Sequence, residues 1–435
     1  MSTTEYAAPA RGGRLLLPIL SSAYIAVTLN VQSFLGMLPL IREEFALTAA
    51  RAGLYNSFHY LSATVVAIAS GYFVDRLGSR RGALVGVGSV TVLIFLHAIS
   101  PSYTLILALA FLTGIGFSLI TPSVSSGIVH AFGPTKRAGA MGLVHGGGTI
   151  GAMLGAGAIP AVGVALGWRA ALALTGLVAF LIFAAIRRYF PALPDEQQRG
   201  WHGNGDGGSG TESSEGKLSG TGPAAGRRNR SFSRGLAAVL RTRSLLTVCL
   251  MGVTFGMSYS SATNHMALFL TDDLGYSPVL AGIGLSVFHG AGVVGGPAWG
   301  ALNDRVLGAR RRGGLVMLVV LAAAMMYFFG FVVAGGLPYA VVLLACALLG
   351  FIILGISGLY FTTVGELAPA GLAGVATGVA LVFARSGVVL ASPLFGLLSD
   401  ITGSYRTSWI ALGTAVLIIA ATFRLLDAGR SPGVG

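Results

Sequence analysis

Charged side chains are scarce in this sequence. Only 10% of its 435 residues are Asp, Glu, Lys or Arg, whereas 54% are hydrophobic. Soluble domains carry about 25% charged residues, so the composition excludes an ordinary soluble domain and indicates a protein that crosses a membrane many times. The net charge of +13 does not indicate nucleic-acid binding, because the positive residues are concentrated in short loops between apolar runs.

Cysteine and recognisable catalytic motifs are also scarce. Cys249 and Cys346 both lie inside apolar runs, which predicts two buried thiols and neither a disulfide framework nor a metal site. The sequence contains no phosphate-binding loop, metal-ligand cluster or nucleophile elbow. We therefore expect no cofactor, no enzymatic activity and no nucleotide-driven pump.

Long apolar runs are abundant. A helix needs about 20 mostly apolar residues to cross a bilayer. Twelve runs meet this requirement, at 15–40, 52–74, 83–99, 103–130, 137–165, 169–189, 244–271, 279–302, 314–335, 338–365, 371–399 and 405–426.

One long polar segment interrupts this pattern. Residues 190–243 are rich in Gly, Ser and charge, which is typical of a disordered linker. We expect an N-terminal six-helix bundle over 1–189, a cytoplasmic linker over 190–243, and a C-terminal six-helix bundle with a short tail over 244–435.

The positive residues predict the orientation. With both termini in the cytoplasm, Arg76, Arg80, Arg81, Lys136, Arg137 and Arg305 lie in cytoplasmic loops. Only Arg42, Arg51, Arg169 and Arg406 then lie outside. By the positive-inside rule, the sequence predicts a multi-pass protein of the cytoplasmic membrane with both termini inside.

Two loops repeat one pattern. Gly71–Arg81 reads GYFVDRLGSRR and Gly300–Arg312 reads GALNDRVLGARRR, at corresponding positions of the two halves. The sequence thereby resembles the major facilitator superfamily. The resemblance implies an all-α polytopic membrane protein with twelve transmembrane helices in two pseudo-symmetric six-helix bundles. It also implies that the loop residues gate the transport cycle and do not bind substrate. The gating candidates are Asp75, Arg76, Arg80, Asp304 and Arg305.

Within that superfamily, two stretches are similar to monocarboxylate and oxalate–formate-like organic anion carriers. They are the glycine-rich run Gly146–Pro160, followed by GWR, and the segment HMALFLTDDLGYS at 265–277. The spacing of Gly147, Gly151 and Gly155 before Pro160 indicates close helix packing, with a sliding surface between the halves as the alternative.

Arg385 is the charge that the apolar pattern does not explain. It lies in the middle of Gly378–Asp400, and no carboxylate lies at a comparable depth in any predicted span. An intramembrane Arg is costly unless it faces a partner or a water-filled cavity, and its planar fork suits a carboxylate. When Pro160 is aligned with Pro393, Arg385 corresponds to Ala152, so the internal repeat does not require the charge. A structural pair with a carbonyl or an acid at a helix end is the alternative.

Arg385 also strengthens the resemblance, because oxalate–formate exchangers carry a basic residue on helix eleven. Monocarboxylate carriers place an Arg before a Pro in helix eight, whereas this sequence has Gly296 before Pro297. A second intramembrane cation is missing, which favours a monoanionic substrate.

Further polar and aromatic residues at similar depth are candidates to bind substrate. A histidine at this depth could bind the anion or accept a coupled proton, but packing roles are the alternative for each residue. The candidates are His289, His145, Asn30, Gln32, Asn264, Tyr259 and Tyr360, with His59 and His97 ranked below them.

The sequence thus predicts a monomeric secondary active transporter for a small organic anion, a monocarboxylate in the simplest case. The expected partners are the anionic substrate, the lipid bilayer and, if transport is coupled, protons, but no nucleic acid. A proton-driven drug or metabolite exporter of the same fold is one alternative. A membrane sensor that binds without transporting is another.

Overall fold

The computed structural model describes residues 13–132, 134–190, 236–306, 311–369 and 372–428. Within these ranges every regular element is helical. The α-helices are α1 (Gly13–Gly36), α2 (Leu38–Phe45), α3 (Ala49–Val65), α4 (Ala67–Leu77), α5 (Ser79–Ala98), α6 (Tyr103–Ser118), α7 (Ile120–Ala131), α8 (Pro134–Gly157), α9 (Ile159–Leu166), α10 (Trp168–Tyr189), α11 (Arg243–Asp272), α12 (Pro278–Val306), α13 (Arg311–Phe331), α14 (Tyr339–Leu367), α15 (Ala373–Thr402) and α16 (Tyr405–Ala428).

These helices form the predicted membrane-spanning architecture. Among the described residues, 11 segments are long and apolar enough to cross a membrane, or up to 12 when the bent pair α3 and α4 counts as one span. The prediction of an all-α polytopic membrane protein is therefore confirmed.

Three predicted helices are shorter than their apolar runs. The run 15–40 ends as a helix at Gly36, the run 103–130 breaks at Leu119, and the run 137–165 breaks at Ala158. Each break precedes a proline, and Pro39, Pro122 and Pro160 fall within the first turns of the helices that follow. Proline lacks an N–H and clashes with the carbonyl four residues earlier, so a helix restarts there more easily than it continues.

The predicted helix 52–74 bends by 60° after Val65 although it contains no proline. The Ser62 hydroxyl donates to the His59 carbonyl at 3.0 Å, and the Thr64 hydroxyl donates to the Tyr60 carbonyl at 2.7 Å. Such hydroxyl bonds compete with the backbone ladder and often bend helices. The bend separates α3 from α4.

The predicted linker lies mostly outside the described residues, at 191–235. Residues 236–241 form a short helical segment before α11. The last part of the segment predicted as disordered is therefore helical.

The glycine stripe of α8 lies against α1. A methyl group at Gly151 would lie 2.6 Å from the Ile25 carbonyl oxygen, and one at Gly155 would lie 2.5 Å from that of Leu29. At Gly147 the nearest atoms would belong to Ser21, at 3.1 Å. The absence of side chains at these positions lets the two backbones pack directly.

The two halves of the chain meet tightly where α3 crosses α15. A methyl group at Gly53 would lie 2.7 Å from the Ser392 carbonyl oxygen, and one at Gly396 would lie 2.3 Å from the Ala49 backbone. The Asp400 carboxylate accepts hydrogen bonds from the backbone N–H groups of Ala49 and Ala50, at 2.7 and 2.8 Å. We call this end of the bundle the closed end.

An ion pair adds to the closed end. Arg42 at the end of α2 pairs with Asp272 at the end of α11, so it also joins the two halves.

At the opposite end the helices diverge. The bend after Val65 directs α4 away from α15, which packs along α3. A methyl group at Gly146, Gly300 or Gly378 would meet no atom within 4 Å. We call this the open end.

Candidate functional site

A central cavity of about 180 Å³ lies between the two halves. Side chains from α1, α3, α6, α8, α11, α12 and α14 line it, and most of them carry a hydrogen-bonding group. The lining residues are Tyr24, Thr28, Val31, Gln32, His59, Tyr60, Phe117, His145, Gly148, Thr149, Ala152, Tyr259, His289 and Leu354.

Four residues that the sequence predicted as substrate-binding line this cavity: Gln32, His145, Tyr259 and His289. The Gln32 amide donates to the Tyr259 hydroxyl at 3.3 Å, which joins α1 to α11 across the two halves. The Tyr60 hydroxyl of α3 lies beside the same Tyr259 hydroxyl. A polar bridge thus crosses the cavity between the halves.

Three other candidates lie in helix contacts outside the cavity lining. The Asn30 amide donates to the Ala26 carbonyl one turn earlier at 2.7 Å, and the Asn264 amide donates to the Ala52 carbonyl of α3 at 3.2 Å. The Tyr360 hydroxyl donates to the Ala380 carbonyl at 2.9 Å, which fastens α14 to α15. Their polar groups serve helix packing here, the alternative that the sequence left open.

Arg385 lies beside the cavity but is not among the residues that line it. Its Nη1 donates to the Ala63 carbonyl at 3.0 Å, in the last turn of α3 before the bend. The last carbonyls of a helix have no partner within that helix, so they are available to such a donor. The sequence left open that Arg385 pairs with a carbonyl for structural reasons, and the described residues show such a pair. It joins the two halves.

The charge of Arg385 nevertheless reaches the cavity. Its guanidinium interacts electrostatically with Tyr24, His59 and Tyr60, all of which line the cavity. A guanidinium has five N–H donors. The contact with Ala63 uses Nη1 alone, and no acid of the described residues lies within ion-pair distance of Arg385.

Sequence reasoning gave little weight to the α3 side of the cavity. The sequence pattern ranks His59, together with His97, below His289 and His145, and it does not indicate Tyr60. One signal could have identified this wall. When Asp75 is aligned with Asp304 in the repeated loops, Tyr60 falls opposite His289, so the repeat places both at equivalent positions.

The gating candidates lie at the open end and outside the cavity lining. Gly78 has a φ of +88° and makes the turn between α4, which carries Asp75 and Arg76, and α5. The Arg76 guanidinium lies 4.8 Å from the Tyr72 ring centroid, and Arg80 Nη2 donates to the Arg187 carbonyl at 2.7 Å. Arg305 is exposed near the end of α12, whereas the side chain of Asp304 lies outside what the structure describes.

In the described ranges, no group of three His, Cys, Asp or Glu side chains is placed to hold a metal ion.

Comparison with known proteins agrees with this geometry. The sequence model described as Major Facilitator Superfamily matches residues 20–392. The chain belongs to the Major Facilitator Superfamily. Membership identifies the protein as a membrane transporter.

Two solved superfamily structures have the same fold. One is a bacterial homolog of the human lysosomal transporter Spinster in an inward-facing, unoccupied conformation, with a TM-score of 0.77 and 15% identity over 97% of this chain and 98% of that chain. The same homolog in an inward-facing, occupied conformation gives a TM-score of 0.74 at the same identity and coverage. At this identity the likeness concerns the fold alone.

A curated superfamily relative resembles part of the chain. The probable sulfoacetate transporter SauU of Cupriavidus necator is 27% identical over 167 residues, which are 37% of this chain and 37% of the relative. The match thus spans little more than a third of the relative's length.

Proposed function

We propose that this superfamily member carries a small organic anion, in the simplest case a monocarboxylate, by alternating access. Arg385 is the observation that carries the proposal. It lies in the middle of α15, whereas the other charged side chains of the described spans lie near helix ends. Every ionisable residue that lines the cavity is a His or a Tyr, so no acid there compensates the cation.

The contact with Ala63 leaves the charge of Arg385 uncompensated, because a carbonyl is neutral. Arg385 is partly buried, and a cation withdrawn from water is stabilised chiefly by an anionic partner. A carboxylate could accept hydrogen bonds from the guanidinium N–H groups that Ala63 does not use. Because Tyr24 and His59 line the cavity within electrostatic range of Arg385, an anion bound at the edge of the cavity would interact favourably with this cation.

The size of the cavity favours a small substrate. Pockets for drug-sized ligands typically have about 300–1,000 Å³, whereas this cavity has about 180 Å³. The size and the positive charge both disfavour a carrier of bulky cationic drugs. The similarity to the probable sulfoacetate transporter SauU supports an organic anion in general.

We assign the open end to the cytoplasm and place the chain in the cytoplasmic membrane with both termini inside. Arg76, Arg80 and Arg305 lie at this end, which the positive-inside rule assigns to the cytoplasm. The conformation is then inward-facing. In the transport cycle the loops of Asp75 and Asp304 would close this end, and His145 and His289 are the cavity groups through which a proton could be coupled.

Binding to the purified protein tests the proposal. Arg385→Gln removes the charge but keeps a donor, and a charged hydrogen bond contributes about 1.5–3 kcal/mol, so affinity for the transported anion should fall about 10- to 150-fold. Arg385→Lys should retain part of the affinity, because the point charge remains without the planar fork. The control is Arg424→Gln, which removes an exposed cation at the end of α16.

Titrations with acetate, lactate and sulfoacetate, followed by flux into proteoliposomes, separate the alternatives. Unchanged affinity of folded Arg385→Gln for every anion that the wild type binds would show that the anion site is wrongly placed. If the wild type binds none of them but confers drug resistance on cells, it is an exporter. Binding without flux would identify a sensor.

A further inference from the structure

Two buried imidazoles face the cavity without normal hydrogen bonds. His59 of α3 is 0% exposed and His289 of α12 is 1% exposed, yet both line the cavity. His289 Nε2 has no partner among the described residues. One nitrogen of His59 lies near the Ala110 carbonyl, but neither ring nitrogen reaches hydrogen-bonding geometry.

Other buried histidines behave differently. His97 Nδ1 pairs with the Leu93 carbonyl at 2.8 Å, and His265 Nε2 pairs with the Ser392 carbonyl at 2.8 Å. The second nitrogens, His97 Nε2 and His265 Nδ1, are buried without a partner, but each ring keeps one hydrogen bond, and neither residue lines the cavity. Leaving a buried donor or acceptor unpaired is costly, and the described histidines that lack any normal partner are found at the cavity.

Aromatic neighbours hold both rings in place. The His59 ring centroid lies 5.2 Å from those of Tyr60 and Phe117, in edge-to-face arrangements. The His289 centroid lies 5.3 Å from that of Phe288 and 6.3 Å from that of Tyr259, also edge to face. These contacts position the rings but do not satisfy their nitrogens.

We propose that His59 and His289 bind a second polar group of the substrate, in addition to the carboxylate that Arg385 attracts. The two histidines approach the cavity from opposite halves, so one ligand group could contact both. A neutral imidazole offers one donor and one acceptor, and a hydroxyl group matches both because it also donates and accepts. The substrate class is therefore a small carboxylate with such a group. This inference rests on the proposed function.

Matched pairs of probes test this class by calorimetry on the full-length protein. Lactate differs from propionate, and glycolate from acetate, by one hydroxyl group. The wild type should bind each hydroxy acid at least 5-fold more tightly than its partner. His59→Phe and His289→Phe keep an aromatic ring and remove the nitrogens. They should weaken binding of lactate and glycolate about 5- to 30-fold, and that of propionate and acetate less than about 2-fold.

His97→Phe is the matched control, because it changes a buried histidine outside the cavity and should leave all four affinities unchanged. His59→Gln restores a donor and should recover part of the lost affinity. If a Phe variant is not monodisperse, the test depends on the wild type. The proposal then requires that the wild type bind each hydroxy acid more tightly than its partner without the hydroxyl group.

The two proposals fail in different ways. Equal wild-type affinity within each probe pair, or equal losses for both members in the His variants, would overturn the role of the histidines and leave the anion carrier intact. If Arg385→Gln loses affinity for all four probes and the wild type shows no preference for the hydroxyl group, the anion carrier is supported and the role of the histidines is overturned. A wild type that binds neither these four probes nor sulfoacetate would overturn both proposals.

Discussion

Glu44 connects the segment after α1 to the start of α10. Its carboxylate accepts hydrogen bonds from Trp168 Nε1 at 2.5 Å and from Arg169 Nη1 at 2.7 Å. Partial burial works against the charged form, but these hydrogen bonds and the Arg169 charge outweigh it and lower the pKa of Glu44. Since the pKa is lowered on folding, Glu44 stabilises the fold above its unfolded pKa, and this contribution is lost as the pH falls through its folded pKa.

Glu44→Gln should therefore lower the thermal unfolding temperature at pH 7. The loss should be small, because Glu44 is 39% exposed and exposed ion pairs contribute about 0.2–1 kcal/mol. The difference from wild type should shrink when unfolding is measured below about pH 4, near the unfolded pKa of a Glu. Glu43→Gln, which removes a neighbouring exposed carboxylate, is the control. An equal loss in both variants would indicate a general charge effect.

At the residue scale, the sequence indicates which side chains are chemically unusual better than it indicates which groups they contact. The position of Arg385 in an apolar run marks it as unusual, but its partner is a backbone carbonyl, which carries no side-chain signature, 322 residues away. The sequence does not single out His59, which lines the cavity, because an apolar helix does not reveal which of its faces meets a cavity. For the same reason the sequence does not reveal that the amides of Asn30 and Asn264 bond to backbone carbonyls in this structure.

At the element scale, the crossing of α3 and α15 controls the closed end. Gly396 lies so near Ala49 that a methyl group would come within 2.3 Å of backbone atoms. Backbone cannot move aside as a flexible side chain can. A substitution at Gly396 should therefore separate the helices and weaken this conformation.

Gly396→Ala should shift the protein toward the conformation in which the open end is shut. Electron–electron distance measurements between spin labels at residues Tyr72 and Gly374, near the ends of α4 and α15, should show a larger population of short distances. Both native cysteines are buried, which limits background labelling. Gly378→Ala is the matched control. Gly378 lies on the same helix as Gly396, but a methyl group there would meet no atom within 4 Å. Identical distance distributions for both variants would contradict the role of the α3–α15 crossing in keeping the closed end shut.

Sequence predicts the existence of elements better than their breaks. The interruptions at Leu119 and Ala158 follow from Pro122 and Pro160, which are visible in the sequence. The 60° bend after Val65 has no such mark. It coincides with the hydroxyl bonds of Ser62 and Thr64, and these residues also occur in straight helices. The bend matters for function because it positions the Ala63 carbonyl and separates α4 from α15.

At the scale of the whole molecule, the repeated Asp-Arg loops and the apolar runs were sufficient to predict the superfamily fold. They could not predict which end is open, because both conformations of an alternating-access carrier use the same helices. That choice depends on a few contacts between the halves. At the closed end these are the α3–α15 crossing, the Asp400 bonds to Ala49 and Ala50, and the pair of Arg42 with Asp272.

The pair of Arg42 with Asp272 should act as a latch that favours this conformation. Arg42→Gln and Asp272→Asn should each lower the population with the closed end shut. Both side chains are partly exposed, at 29% and 35%, so the pair should contribute about 0.2–1 kcal/mol, or about 1.4- to 5-fold in population. The same spin-label distance between Tyr72 and Gly374 reports this population.

A double-mutant cycle separates the latch from local effects. Arg42 also donates to the Leu47 carbonyl at 2.9 Å, so Arg42→Gln alone disturbs the loop after α2 as well as the ion pair. If the pair is a latch, Asp272→Asn should have no further effect once Arg42 is replaced, because its partner is already absent. Additive shifts in the double variant would mean that the two residues act independently, and the closed end would then depend on the helix crossing and Asp400.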